Sequence, residues 1–228
     1  MLQVLFEDNH IIVVLKPHNI PTQGDLSGDV DMLTIVKNYL IEKHNKPGDA
    51  YVGLVHRLDR PTGGVMVFAK TSKAAARLSE SIKSRDVEKV YLAVVEGTIR
   101  SKRATLVNYL KKNAKTNTVV IAPETVEGAK RAELDYEVLD TADNLNFVKI
   151  NLVTGRSHQI RVQFKNINCP VVNDLKYGKK AQSGKYMALF AYMLKFKHPI
   201  TGMDHTFKAY PDLTDYPWNL FATSATFN

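Results

Sequence analysis

The sequence contains a single cysteine, Cys169, in 228 residues. That excludes an internal disulfide framework and any zinc site built on cysteines. Long apolar runs are also missing: none approaches the ~18 residues needed to span a bilayer. The start, MLQVLFEDNHIIVVLK, carries acids and a histidine where a secretion signal needs a basic end and an unbroken apolar stretch. A soluble, cytoplasmic protein is expected. The seven histidines show no metal-ligand spacing and no HExxH occurs, so chemistry without a metal is expected. GKKAQSGK has the wrong glycine spacing for a phosphate-binding P-loop. HRLD is not the kinase loop, because its Asp comes one place late and no Asn or Asp-Phe-Gly follows.

What the chain has in excess is positive charge. Lys plus Arg number 31 against 23 Asp plus Glu, a net +8 with an isoelectric point near 9.4. A basic surface attracts polyanions, which release counterions on binding. The charge is also clustered. Residues 100–131 hold Arg100, Lys102, Arg103, Lys111, Lys112, Lys115, Lys130 and Arg131 against Glu124 and Glu127. A second group is Lys176, Lys179, Lys180 and Lys185, while acids gather at 25–31 and 133–143.

At 44% hydrophobic and 24% charged, the composition is that of one globular domain, or one domain built from two halves. There is no internal repeat and no low-complexity tract. LQVLF and IIVVL read as strands around a turn. A helix is expected from about Asp31 to His44, its apolar side formed by Met32, Val36, Tyr39 and Leu40. VMVFA reads as a buried strand, and Ser72 as the cap of a helix running through Leu78 and Ile82. VEKVYLAVVEG alternates as a strand. Further strands are expected at about 104–110, 117–122, 130–139, 145–153, 187–197 and 205–210, with a short helix over 157–166 and a hairpin tip at 111–118. This order predicts an α+β fold around a mixed, largely antiparallel sheet with flanking helices.

Two segments concentrate reactive side chains. In VHRLDRPTGGVMVFAKT, residues 55–71, His56, Arg57, Asp59 and Arg60 crowd a loop that ends on two glycines. A carboxylate is already charged at neutral pH, so it can act as a nucleophile without a base to activate it. The same residues would also suit a surface ion cluster. In LVTGRSHQIRVQF, residues 152–164, helical spacing puts His158 and Arg161 on one side and Ile160 and Phe164 on another. An amphipathic helix with a solvated basic face has the same pattern. Ser157 and His158 are adjacent, about 100° apart on a helix, and cannot form a catalytic dyad. Tyr91 alternates with apolar neighbours in its strand. VVNDLKYGKK, residues 171–180, offers Asp174 and Tyr177 before a glycine turn.

Taken in order, HRLDRPTGG, KVYLAVVEG, TGRSHQIRVQ and VVNDLKYG resemble the RluA-type pseudouridine synthases. The resemblance runs from FEDNHIIVVLKPHNIPT to LKFKHPITG, nearly the whole chain. It implies one catalytic domain, residues 1–228, of pseudouridine synthase-like fold, with the active-site cleft between two half-domains. It assigns Asp59 as the catalytic aspartate, Tyr91 as the tyrosine that stacks on the base and serves as general base, and Arg161 as the partner of the aspartate. Arg57 corresponds to a residue that enters the RNA stack in place of the flipped nucleotide, and Ile160 to an apolar residue at the pocket floor. His56, Arg156 and His158 lie in the same motifs and are expected to touch the substrate. Three positions depart from the pattern: Gly63, Gln163 and Asn173 stand where Ser, His and Gly are usual.

The implied reaction converts uridine to pseudouridine in ribosomal or transfer RNA, with no cofactor. The base must leave the helix to be reached, and an aromatic face and an inserted arginine serve that step. No extra RNA-binding domain is expected before the catalytic part, so a monomer gripping a compact stem-loop is expected, with no obligatory protein partner. Two other classes fit some of the residues. A non-catalytic RNA-binding protein would share the charge but has no need of Asp59 in a basic pocket. A glycosidase-like hydrolase would need a second carboxylate at about 5–10 Å, for which Asp174 is the candidate.

Overall fold

The computed structural model describes residues 2–45, 47–178 and 185–221. Lys179 and Lys180 of the second basic group lie outside them. The chain divides into two compact units, residues 1–88 with 191–209, and residues 89–190 with 210–228. Strand pairing is largely antiparallel. Among the described residues no helix is long and apolar enough to cross a membrane.

The first unit is built on β1 (Gln3–Glu7), β2 (Ile11–Lys16), β4 (Gly63–Ala69) and β10 (Leu189–Lys197), adjacent in that order. The short β3 (Gly53–Leu54) pairs with β4, and β11 (Asp204–Lys208) with β10. β4 is buried at all seven positions, as expected for a strand covered on both faces. Its core joins Ile11, Val13, Val65, Val67, Leu194 and Phe196 to Ala74 and Leu78 of α2 (Ser72–Lys83). Gly64 has φ +129°, and a Cβ there would meet Ala191 backbone atoms at 2.4–2.5 Å. Only glycine lets β4 and β10 approach this closely.

Both helices expected in the first unit form, with one correction. α1 (Met32–Lys43) is capped by Asp31, whose carboxylate accepts from Thr34 N, and it buries Met32, Val36 and Leu40. α2 is capped by Thr71, which accepts from Ala74 N, and not by Ser72. Thr71 holds the extended backbone that a cap requires, whereas Ser72 is already helical.

The second unit carries an antiparallel sheet in the order β5 (Glu88–Glu96), β9 (Leu145–Leu152), β8 (Lys130–Ala142), β6 (Arg103–Asn113) and β7 (Thr118–Ala122). The β6–β7 hairpin is longer than its sequence suggests. Lys111 and Lys112 lie in β6 paired to Val120 and Val119, which leaves only residues 114–117 for the tip. α3 (Gln159–Asn166) packs through Val162 against Leu110, Val119 and Ala132, with Tyr177 in the same cluster. Phe147 of β9 stacks on Phe221 and meets Trp218 edge-on.

Candidate active site

The loop bearing Asp59 is held by three side chains of the first unit, Lys16, His18 and Thr22. Thr62 N donates to Asp59 O at 2.9 Å, closing a tight turn over 59–62. Lys16, at the end of β2, donates its ammonium to the carbonyls of Pro17, Arg60 and Thr62 at 2.8–3.0 Å. His18 Nδ1 donates to Pro61 O at 2.7 Å. Three successive carbonyls of the turn are thereby taken, and Thr22 fixes Leu58 through both its N–H and its C=O. Lys16 is 0% exposed. Burial draws its pKa down to about 7, the charge of Asp59 working against that fall and Arg60 adding to it. Burial likewise lowers His18.

Asp59 itself is half-buried. Arg60, expected beside it, turns instead to the acidic stretch at 25–31, pairing with Asp29 and bonding Ser27 Oγ and Asn19 O. Arg57 is exposed. The imidazole of His56 accepts from Val67 N at 3.1 Å, which ties the loop to β4. The Gly63 departure has a local reason: a Cβ there would meet the His18 ring at 2.9 Å.

In the second unit Tyr91 is buried in β5. Lys89, two residues earlier, has its pKa lowered by burial. A Cβ on Gly155 would lie 3.6 Å from its ammonium. The TGRSHQIR segment is locked by Gln159, whose Oε1 accepts from Thr154 Oγ1 and Arg156 N, and whose Nε2 donates to Glu133 O. His158 caps α3 with a left-handed backbone, φ 52°, so it precedes the helix that it was expected to lie on. Arg156 is exposed, with Nε on Arg131 O.

The solvated basic face does not form. Arg161 is 4% exposed, Ile160 is buried, and Gln159 and Gln163 are buried as well. Arg161 makes a bidentate pair with Asp174, Nε to Oδ2 and Nη2 to Oδ1, both 2.7 Å. Asp174, 1% exposed, also accepts from Lys176 N and Tyr177 N. Both its oxygens are bonded, so it anchors the arginine and is no second acid for a hydrolase. The Gln163 departure is structural too: its Nε2 donates to Leu106 O and Asn108 Oδ1, binding α3 to β6. Asn173 has φ 59° and donates to Tyr186 O.

Lys16, His18, Gln159 and the Asp174 anchor were not assigned these roles from sequence. The LKPH run after an apolar strand is the one local signal for the first two. Among the described residues no group of His, Cys, Asp and Glu is arranged to hold a metal.

The sequence model of one family, described as RNA pseudouridylate synthase, matches residues 10–166. RNA pseudouridine synthase YhcT of Bacillus subtilis is 31% identical over 202 residues, covering 88% of this chain and 65% of the relative. Ribosomal large subunit pseudouridine synthase D of Vibrio cholerae is 31% identical, covering 91% and 67%. The chain thus spans about two thirds of the length of these relatives. Among solved structures, human RNA pseudouridylate synthase domain containing 1 matches with TM-score 0.74 at 26% identity, covering 93% of this chain and 84% of that one. Human RNA pseudouridylate synthase domain containing 4 shares the fold, with TM-score 0.77 at 21% identity, covering 92% and 89%. With that match over more than half its length, and with relatives named as large-subunit synthases, the chain belongs to the RNA pseudouridylate synthase family, in its RluA-type branch.

Proposed function

We propose that this chain isomerises uridine to pseudouridine in a stem-loop of ribosomal RNA, with Asp59 as nucleophile. The observation that carries this reading is the Asp59 turn. Its carbonyls are captured by Lys16 and His18, so the carboxylate is presented on a backbone already fixed before substrate arrives. Fixing a reacting group in advance removes an ordering cost from the chemical step.

Arg57 fills the gap left when the target nucleotide leaves the RNA stack, and the ring of Tyr91 stacks on the uracil. Attack by the Asp59 carboxylate, on the sugar or the base, leads to cleavage of the bond from C1′ to N1. The freed uracil turns, C5 bonds to C1′, and the bond to the Asp59 carboxylate breaks, returning the free carboxylate. C5 then loses its proton to the Tyr91 oxygen, while N1 gains one, so the product is an isomer of the substrate. Arg161, oriented by Asp174, is the cation that offsets the charge of Asp59. Ile160 forms part of the dry floor that keeps water from the sugar.

Affinity comes from phosphate contacts. Lys111, Lys112 and Lys115 are exposed on the β6–β7 hairpin. Relatives named as large-subunit synthases favour large-subunit RNA as the target. The test is Asp59→Asn, assayed on ribosomal RNA for binding and for pseudouridine. Binding is expected to persist while product formation stops; substantial pseudouridine from the purified variant would end the assignment.

A further inference from the structure

Tyr177 has no part in the chemistry proposed above, yet it stands where three elements of the second unit meet. Its hydroxyl accepts from Val119 N at 2.7 Å, a buried bond to β7 across 58 residues of sequence. The same oxygen lies 2.7 Å from His158 Nδ1. That one oxygen therefore bridges β7 and the residue at the start of α3. Its ring lies under the guanidinium of Arg161, 5.1 Å from the ring centroid, and under the ammonium of Lys165 at 5.7 Å. Its backbone N–H completes the cradle of Asp174, the anion that grips Arg161. Gly178 then donates to Asp174 O at 2.7 Å, and a Cβ there would lie 2.6 Å from that oxygen. Next door, Lys176 Nζ donates to Asn117 O at the hairpin tip.

We infer that Tyr177 is a positioning residue with two separable tasks, an inference that rests on the proposed roles of Arg161 and the hairpin. The ring fixes Arg161 for the chemical step. The hydroxyl ties the β6–β7 hairpin, which carries the lysines that grip RNA, to the start of α3. Cation–π contact needs only the aromatic face, whereas the tether needs the oxygen. Phenylalanine therefore keeps one task and loses the other, and leucine loses both.

The test compares Tyr177→Phe and Tyr177→Leu with wild type, using hydrogen exchange at Val119, the NMR signal of Arg161 Nε–H, and kinetics on ribosomal RNA. In Tyr177→Phe, Val119 exchange should rise about tenfold, with β5 and β9 amides unchanged. KM for RNA should rise several-fold, while the single-turnover rate at saturation stays within about twofold of wild type. In Tyr177→Leu that rate should fall by about tenfold or more and the Arg161 signal should move, an effect that phenylalanine rescues. Unchanged Val119 exchange and KM in Tyr177→Phe would overturn the tether. Equal saturating rates and equal Arg161 signals in the two variants would overturn the ring's task. A wild-type protein that modifies no RNA would refute the proposed function instead, leaving Tyr177 judged by the Val119 and Arg161 signals.

Discussion

Replacing Arg161 by methionine removes a cation from a site that water does not reach. The partner left behind, Asp174, is 1% exposed and loses two 2.7 Å bonds. Breaking a buried pair from one side costs about 3–5 kcal/mol, because an uncompensated charge remains. Two backbone N–H groups, of Lys176 and Tyr177, still point at Asp174 Oδ1, which puts the cost near the lower end, about 3 kcal/mol. With a urea m-value of about 2–3 kcal/mol/M for a chain of this size, the midpoint should fall by about 1–1.5 M. Asp174→Asn makes the reverse cut and strands the guanidinium. The double variant Arg161→Met, Asp174→Asn leaves no buried charge, so the two losses should overlap by at least about 2 kcal/mol in a double-mutant cycle. Urea unfolding followed by circular dichroism reads all four proteins. Simple additivity of the two losses, or a midpoint shift in Arg161→Met below about 0.3 M, would refute the reasoning.

Lys16→Met strips the Asp59 turn of its ammonium; turnover should drop by about tenfold or more with RNA affinity retained. In wild type, Lys16 loses its proton as pH rises through about 7, so turnover should decline over that range, and a pH–rate profile of Lys16→Met should lack that limb. Burial would raise the pKa of Glu7, but hydrogen bonds from Lys43, Lys70 and His44 outweigh it and hold it at about 2, below the ordinary 4.5. The stability it supplies is whole above pH 4.5 and lost as pH falls towards 2; thermal melts of Glu7→Gln should lack that acid-dependent loss. Reversing Lys111, Lys112 and Lys115 to Glu should weaken RNA binding and flatten the salt dependence of log K by about 2, at about 0.7 per phosphate contact, with the chemical step unaltered. An unchanged slope in filter-binding titrations would remove the hairpin from the interface.

Local pattern was enough to find most elements and the motif residues. Alternating and continuous apolar runs marked β2, β4, β5 and β9, the turn chemistry of Asp31 marked the start of α1, and the spacing of HRLD and GRSHQIR marked Asp59 and Arg161. These signals are carried within a dozen residues of each other, as backbone preference and hydrophobic period are. Which charges are buried was decided elsewhere in the chain. Arg161 has the spacing of a solvated face, and it enters the interior because Asp174, 13 residues later, supplies a carboxylate of matching geometry. Lys16 reads as a strand-end lysine, and it is enclosed because the carbonyl of Thr62, 46 residues on, and that of Arg60 come to meet it. Arg60 flanks Asp59 in sequence and leaves it for Asp29. Removing a charge from water is favourable only when its partner arrives in the right orientation. That partner is brought by the packing of distant segments: local pattern carries the family and the strands, whereas only the folded chain sets how the motif residues are held.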